Sequence, residues 1–305
     1  MTTRISLVAA ALVLGACADA PTGSPALSTA TTSLTVTTDA AETAIAGEEL
    51  IGLTADNELV TFTSDKSNQT TSVVPITGLM AGETVIGIDF RPSDLGANGV
   101  NDIGKLYAVT SASRLYVVNP ATGAASSPVM LSIAISGTAI GAGFNPVPDR
   151  LRIHTSTNQN LRINVETGMT TLDGALSYTA GDVNAGNDPD LVGTGYTNND
   201  ADPATGTDLY AIDAAQDVLI KFGPVSATSG PNSGKLLTVG ALGVNASAMS
   251  GLDISNATGT AYAVLGTSPS DKSVLYSIDL ATGAATRLGL LAQTKGALIG
   301  VVVKP

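Results

Sequence analysis

Short runs of alternating apolar and polar residues recur along the chain, each interrupted by a few small or polar residues. Residues 50–62 and 106–118 align without a gap, and both pass from an apolar run through a polar stretch into a second apolar run. Alternation with a period of two residues is typical of half-buried β-strands, and the break between two such runs predicts a tight turn. Both segments are therefore predicted to be β-hairpins.

The hairpin pattern returns in residues 151–165, 209–222 and 261–280. A glycine that leads a short apolar segment precedes each later hairpin, and one more lies near the C-terminus; these glycines are Gly87, Gly143, Gly195, Gly251 and Gly300. Turns such as Asn119–Gly123 follow several hairpins and place glycine where the backbone angle φ must be positive, so an outer strand is expected after them. Each unit is thus predicted to be a four-stranded antiparallel meander.

The two ends of the repeat array complement each other. The first hairpin, at Leu50, lacks a glycine-led strand before it, whereas the last glycine-led strand, at Gly300, lacks a hairpin after it. Repeats of about 50 residues with four strands each are typical of β-propeller blades. The sequence therefore predicts an all-β propeller of five four-stranded blades, closed by pairing of the N- and C-terminal strands. A degenerate sixth blade within residues 170–192 and a two-sheet sandwich are the alternatives.

Composition narrows the classes of function. The 305 residues carry a net charge of −12, so we do not expect a surface that attracts the phosphates of nucleic acids. Cys17 is the only cysteine and His154 the only histidine, which excludes an internal disulfide, a cysteine-based zinc site and a site with several histidines of one chain. Motifs of serine hydrolases, phosphate loops and dinucleotide-binding folds do not occur in the sequence.

The first residues have the character of an export signal. Arg4 precedes a short apolar run, residues 5–14, which is too short to span a bilayer. The sequence Leu14-Gly-Ala-Cys17 then resembles the lipobox of bacterial lipoproteins. That resemblance implies that the Cys17 sulfur receives diacylglycerol and, because Ala18 follows, that the protein is sorted to the outer membrane. The alternative is ordinary signal cleavage near Ala18 or Ala20 without a lipid.

These features predict three parts of the chain. Residues 1–16 are the predicted lipoprotein signal peptide. Residues 17–47 begin with the lipidated cysteine and are rich in Ala, Thr, Ser and Pro, which is typical of a flexible tether. Residues 48–305 are the predicted propeller domain.

Several short motifs of the repeat region occur together in one known family. They are Gly87-Ile-Asp-Phe-Arg-Pro92, Phe144-Asn-Pro146, Asp149-Arg-Leu-Arg152, Gln159-Asn-Leu-Arg162, Ala180-Gly-Asp182, Tyr196-Thr-Asn-Asn199 and Gly240-Ala-Leu-Gly243. Through these motifs, residues 50–303 resemble a bacterial family known as a domain of unknown function, DUF4394. The resemblance implies an exported, propeller-like protein and brings neither an activity nor catalytic residues with it.

One repeat departs from the pattern of the others. Arg152 and Arg162 occupy strand positions where other repeats carry tyrosine, and His154 fills a valine position. Polar residues in apolar positions cost stability unless they have a partner. Arg152, His154 and Arg162 are therefore a candidate anion or carboxylate site. The structural alternative is an ion pair of Arg152 with Asp149 or Glu166.

Two groups of oxygen-bearing residues are candidate metal sites. In the loop of residues 182–190, the side chains of Asp182, Asn184, Asp188 and Asp190 alternate in a way that could surround Ca²⁺, which takes six to eight oxygen ligands. The same residue types are also common in turns. Asp89 and Asp253 lie on the glycine-led strands, which line the channel in propellers, so with Asn145 they could form a ring of oxygen atoms around the axis. Hydrogen bonding at strand edges is the structural alternative.

Three hypotheses of function follow. The first is an envelope-anchored, non-enzymatic binding or scaffolding propeller, held at the membrane by its lipid, that binds an unknown protein or small molecule. The second is a calcium-assisted hydrolase, similar to a lactonase, that acts through the channel carboxylates. The third is a structural surface protein without a small ligand. A deep channel with converging carboxylates favours the enzyme, and a closed channel favours binding.

Overall fold

The computed structural model describes residues 47–305 except 97, 139, 224–229, 267–271 and 293–295. Within these residues the fold is all-β. The strands are β1 (Glu49–Thr54), β2 (Glu58–Thr63), β3 (Thr70–Pro75), β4 (Val85–Phe90), β5 (Leu106–Thr110), β6 (Arg114–Val118), β7 (Ala125–Met130), β8 (Ile140–Asn145), β9 (Arg150–Thr155), β10 (Asn160–Ile163), β11 (Thr170–Leu172), β12 (Ser177–Tyr178), β13 (Leu191–Tyr196), β14 (Leu209–Asp213), β15 (Val218–Phe222), β16 (Lys235–Ala241), β17 (Ser250–Ile254), β18 (Ala261–Leu265), β19 (Val274–Ile278), β20 (Ala285–Leu290) and β21 (Leu298–Val303). A single 3₁₀ turn spans Pro231–Ser233 in the described part.

The strands form five sheets, which are the blades of a five-bladed β-propeller. From the inner to the outer strand, blade 1 is β21-β1-β2-β3, blade 2 is β4-β5-β6-β7, blade 3 is β8-β9-β10-β11, blade 4 is β13-β14-β15-β16 and blade 5 is β17-β18-β19-β20. The five inner strands β4, β8, β13, β17 and β21 contact one another in a ring. The predicted fold class is thereby confirmed.

Blade 1 is built from both ends of the repeat array, as the sequence predicts. Strand β21 pairs antiparallel with β1, and Leu50 lies opposite Val303 while Gly52 lies opposite Val301. This pairing completes a four-stranded sheet and leaves neither end of the array as an unpaired inner edge.

The alternative of a sixth blade is wrong. Residues 170–192 form the short strands β11 and β12, a loop and the first two residues of β13. Strand β12 adds to the outer edge of blade 4 by pairing parallel with β16, so it extends an existing sheet and does not start a new one.

Among the described residues, four of the five interfaces between neighbouring blades contain a hydrophobic cluster to which both blades contribute. Clusters join blade 1 to blade 2, blade 2 to blade 3, blade 4 to blade 5, and blade 5 to blade 1. At the interface of blades 3 and 4, the apolar cluster is drawn from blade 4 and the segment around Leu176 and Tyr178, and it contains no residue of β9 or β10. Blade 3 presents the buried polar side chains of Arg152, His154 and Asn160 there instead.

The strand registers correct two of the predicted glycine positions. Asp89 lies opposite Tyr107 in blade 2, and the corresponding partner of Arg152 in blade 3 is Gly143. The residue of blade 3 that corresponds to Gly87 is therefore Gly141 and not Gly143. By the same pairing, the corresponding residue of blade 4 is Gly193 and not Gly195.

None of the described helices is long and apolar enough to cross a membrane.

Candidate functional site

A cavity of about 250 Å³ lies on the propeller axis. Phe90, Ile254 and Val303, the last residues of three inner strands, line it, so it opens at the end of the channel where those strands finish. We call it the axial cavity. Its position follows from the fold. The inner strands of all blades pack together around the axis, so space for a cavity is found where these strands end and the chain turns away from the axis.

A ring of five glycines narrows the channel beside the axial cavity. These are the structurally equivalent residues Gly87, Gly141, Gly193, Gly251 and Gly300, and together with their strand neighbours they line a small space of about 20 Å³. A Cβ atom added at Gly251 would lie 2.6 Å from the Cα atom of Gly300, and one at Gly193 would lie 2.4 Å from the backbone nitrogen of Leu252. Glycine is therefore needed for neighbouring inner strands to approach so closely. The inner strands are therefore packed closely around the axis at this level.

Asp89 and Asp253 line the axial cavity from equivalent positions of blades 2 and 5. One carboxylate oxygen of each aspartate accepts a hydrogen bond from the next residue of its own strand, at 2.8 Å in both cases. The other oxygen accepts one from the following blade, from the Phe144 amide at 2.6 Å and from the Val303 amide at 2.7 Å. These bonds fix the two carboxyl groups against neighbouring blades. The other blades carry Gly143, Gly195 and Val302 at this position.

The electrostatic surroundings disfavour the ionised forms of both aspartates. Burial raises the pKa of Asp89 well above its usual value, and the nearby charge of Asp253 raises it further. Burial raises the pKa of Asp253 to about 7, although its two backbone hydrogen bonds act in the opposite direction. Within the described residues, no Lys, Arg or His side chain forms an ion pair with either carboxylate. The floor of the cavity is thus an uncompensated acidic pair.

A third carboxylate, Glu48, lies at the rim of the axial cavity. It accepts hydrogen bonds from the hydroxyl groups of Tyr262 at 2.7 Å, Thr258 at 3.0 Å and Ser255. These donors carry no charge, so they orient the Glu48 carboxylate without neutralising it. Sequence reasoning missed Glu48 because it lies outside the repeated motifs.

The two cations of the cavity wall are already paired. Arg91, which is only 1% exposed, contacts Asp149, lies 2.9 Å from Asp94 and lies 3.3 Å from Glu166. Lys304 pairs with Glu49 at 2.6 Å on the exposed side. The axial cavity consequently has an excess of negative charge. Arg91 also belongs to the motif of residues 87–92, which carries the family resemblance. Its place in that motif is the sequence signal that could have identified it as a residue of the site.

The predicted third-repeat site is a buried ion-pair network between blades 3 and 4. Asp173 lies between the two arginines, 3.0 Å from Arg152 and 3.0 Å from Arg162. Arg152 also donates to the Tyr196 hydroxyl at 3.1 Å and to the Asn160 side chain at 2.6 Å. The suggested partners Asp149 and Glu166 are wrong, since both contact Arg91 instead. A bound anion at these arginines stays a prediction.

His154 is fully buried and does not join the carboxylate of this network. Its ring stacks on Phe222 with 4.4 Å between the ring centroids, and its Nδ1 lies 3.4 Å from the Thr194 hydroxyl. Burial, together with the charge of Arg152, lowers the pKa of His154 well below its usual value. The imidazole is therefore neutral at physiological pH, and it fills space between the blades.

The side chains of the predicted calcium loop do not converge on one point: Asp182 and Asn184 bind Thr238, and Asp188 binds Asn158. Asp182 accepts from the backbone and the hydroxyl of Thr238 at 2.7 and 2.6 Å, and Asn184 donates to the same hydroxyl at 3.0 Å. Asp188 accepts from Asn158 at 2.6 Å. Burial and the charges of Asp213 and Asp188 raise the pKa of Asp190. Across the described residues, no three His, Cys, Asp or Glu side chains are placed together to hold a metal ion.

Cys17, the predicted site of lipidation, lies outside the described residues, as do the predicted signal peptide and most of the tether.

Comparison with known proteins adds a family and two solved structures. The family model described as "Domain of unknown function (DUF4394)" matches residues 58–301. No curated protein matches the chain. A structural genomics protein of unknown function from Bacteroides thetaiotaomicron is similar at 16% identity with a TM-score of 0.46, over 83% of this chain and 61% of that one. The dihydro-heme d1 dehydrogenase NirN in complex with DHE is similar at 10% identity with a TM-score of 0.36, over 81% of this chain and 44% of that one.

Proposed function

Because the chain belongs to the DUF4394 family, whose description assigns no activity, we propose from the site alone that this propeller is a non-enzymatic binding protein that holds a small ligand in the axial cavity. One observation carries the proposal: the axial cavity lies beside the closely packed glycine ring and presents the Asp89 and Asp253 carboxyl groups on its floor. A concave, partly apolar site with a few fixed polar groups is the usual form of a small-molecule site.

The cavity wall combines apolar and polar groups in the way that a binding site requires. Phe90, Phe144 and Tyr196 supply aromatic surface, while Asn199 and Asn256 supply amide groups near the opening. The volume of about 250 Å³ is suited to a compact molecule. A polymer or a folded protein would reach only the rim.

The competing hypothesis is the calcium-assisted hydrolase that acts through the channel carboxylates. The convergence of Asp89 and Asp253 favours it, but each of these carboxylates already accepts two backbone hydrogen bonds. Calcium takes six to eight oxygen ligands, and two such carboxylates supply too few of them. Binding without catalysis therefore accounts better for the geometry.

The cellular place of this binding activity is also a proposal. The lipobox-like sequence that ends at Cys17 supports anchoring to the bacterial envelope by lipid, with the outer membrane as the destination. Residues 18–47 would then allow the propeller to reach ligands away from the membrane surface.

A thermal-shift screen of the full chain against small metabolites, Ca²⁺ and EDTA tests the proposed function. Ala257 is exposed at the cavity and Ala281 is exposed on an outer turn, so Ala257→Trp should block the cavity and Ala281→Trp serves as its control. We expect at least one organic compound to raise the melting temperature of the wild type and of the control, but not of Ala257→Trp. If compounds stabilise all three proteins equally, the axial cavity is not the binding site. Stabilisation by Ca²⁺ that EDTA reverses would favour the hydrolase hypothesis.

A further inference from the structure

The balance of charge in the axial cavity indicates which ligands it can hold. Asp89 and Asp253 on the floor and Glu48 at the rim are carboxylates without a cationic partner among the described side chains. The positive charges of Arg91 and Lys304 are engaged by carboxylates outside the cavity. A ligand with a positive charge would supply the missing partner, whereas these three carboxylates would repel an anion.

The fold itself does not require these aspartates. Three of the five blades carry Gly143, Gly195 and Val302 at the equivalent position, and their inner strands pack around the same axis. Burying an ionisable carboxyl group costs free energy, and placing a second one nearby adds to that cost. The pair is therefore a feature of blades 2 and 5 alone, and most blades of the ring pack without it.

The walls around the carboxylates favour an organic cation over a bare metal ion. Phe144 and Tyr196 lie beside the cavity, and aromatic faces attract ammonium groups. The Tyr196 hydroxyl accepts a hydrogen bond from Arg152, which fixes the position of this residue at the cavity wall. Apolar surface of this kind would gain nothing from contact with a hydrated metal ion.

We propose that the axial cavity recognises a small organic ammonium ion, with its ammonium group between Asp89 and Asp253 and its apolar part against Phe144 and Tyr196. This inference rests on the proposed function and adds the chemical class of the ligand. The ammonium group can donate up to three hydrogen bonds, and each carboxylate has lone pairs beyond those used by the backbone amides.

Binding of such an ion is coupled to release of a proton. Burial raises the pKa of both Asp89 and Asp253, and the nearby charge of Asp253 raises the pKa of Asp89 further, which favours retention of a proton by the pair when the cavity has no cation. A bound ammonium ion stabilises both ionised carboxylates, so their pKa values fall and the proton leaves. The other charged groups that face the cavity are Glu48, Arg91 and Lys304, and burial keeps the Tyr196 hydroxyl protonated. Affinity for the ammonium ion should accordingly rise with pH through the neutral range.

Isothermal titration calorimetry of the full chain with three matched probes tests the inference. Benzylammonium, benzyl alcohol and benzoate share one ring and differ in charge. We expect benzylammonium to bind about tenfold or more tightly than the neutral probe, because hydrogen bonds to charged groups are the stronger ones, and benzoate not to bind. Asp89→Asn and Asp253→Asn should each reduce benzylammonium affinity. Asp279→Asn removes the same charge from an exposed turn where other repeats carry Asn119 and Asn164, so it should bind like the wild type.

A second variant keeps the test decisive if the aspartate variants fold poorly. Asn256→Lys places a cation at the exposed rim without replacing either aspartate, and Ala281→Lys, which adds the same charge on an exposed outer turn, is its control. We expect only Asn256→Lys to bind benzylammonium more weakly. Equal binding of all three probes, or affinity unchanged in the aspartate variants, would overturn the ammonium class. If neutral or anionic compounds stabilise the wild type in the thermal-shift screen and Ala257→Trp removes this effect, the proposed function would still be supported. Binding of Ca²⁺ that depends on Asp253, without binding of benzylammonium, would also overturn the inference.

Discussion

The interface of blades 3 and 4 and the axial cavity both place charged side chains where the repeats elsewhere carry apolar or small residues, but they treat the charges differently. At the interface, Arg152 and Arg162 share the carboxylate of Asp173, and neutral groups complete the hydrogen bonds of Arg152. In the axial cavity, Asp89 and Asp253 have only backbone amides. A departure from the repeat pattern thus points to a ligand where the protein leaves the charge without a partner.

The largest expected effect comes from breaking the compensated network. Replacing Asp173 with Asn leaves Arg152 buried without a counter-charge, which should lower the free energy of unfolding by about 3 kcal/mol. Urea denaturation of the variant and of the exposed control Asp279→Asn measures this loss. A loss below about 1 kcal/mol, the range of exposed pairs, would mean that the network is not a structural ion pair.

Substitution in the glycine ring tests how tightly the channel is closed. Gly251→Ala adds a Cβ 2.6 Å from a backbone atom of the next blade, whereas at Gly300 the nearest atom is 3.7 Å away. Gly251→Ala should therefore cost about 2 kcal/mol, as overpacking in a core does, while Gly300→Ala should cost much less. Thermal denaturation of the two variants side by side measures the difference, and equal stability would argue against close contact at the ring.

The dependence of stability on pH should distinguish the uncompensated pair from the compensated one. Because the folded protein raises the pKa of Asp89 and Asp253, it binds more protons than the unfolded chain between about pH 4 and 7. This pair therefore contributes a loss of stability as the pH rises through that range. Asp253→Asn should show a flatter profile than the wild type, measured by urea denaturation at each pH. An identical slope would contradict the assigned burial.

The smallest effect is expected at the exposed end of the network. The Arg162 side chain is 31% exposed, so Arg162→Met should change stability by less than about 1 kcal/mol. If these arginines also bind an anion, added phosphate should raise the melting temperature of the wild type but not of this variant. No phosphate effect on either protein would limit the arginines to their structural role.

The repeated hairpins were sufficient to predict the propeller, because strand alternation and turn residues are local signals. The complementary ends around Leu50 and Gly300 likewise predicted which strands close the ring. The predicted glycine positions of the inner strands in blades 3 and 4 were wrong by two residues. Gly143 and Gly195 were chosen because an aromatic residue follows each of them in the sequence. The true equivalence depends on pairing with β9 and β14, which the sequence does not show.

Less of the candidate site than of the fold could be predicted from the sequence. Asp173 lies beyond the end of β11, and no spacing rule places it between Arg152 and Arg162. The position of Asp89 and Asp253 on glycine-led strands predicted that they face the channel. Their lack of a cationic partner depends on where Arg91 and Lys304 are directed, which only the three-dimensional arrangement shows.

The most direct test of the account is to measure the pKa values of Asp89 and Asp253 with and without benzylammonium. Carbon-13 NMR of the aspartate carboxyl groups, assigned with Asp89→Asn and Asp253→Asn, gives both titrations. We predict raised values in the ligand-free protein and a clear fall of both when benzylammonium is present. Ordinary pKa values in the ligand-free protein, or raised values that benzylammonium leaves unchanged, would contradict the claim that the axial cavity is an uncompensated acidic site for an ammonium ion.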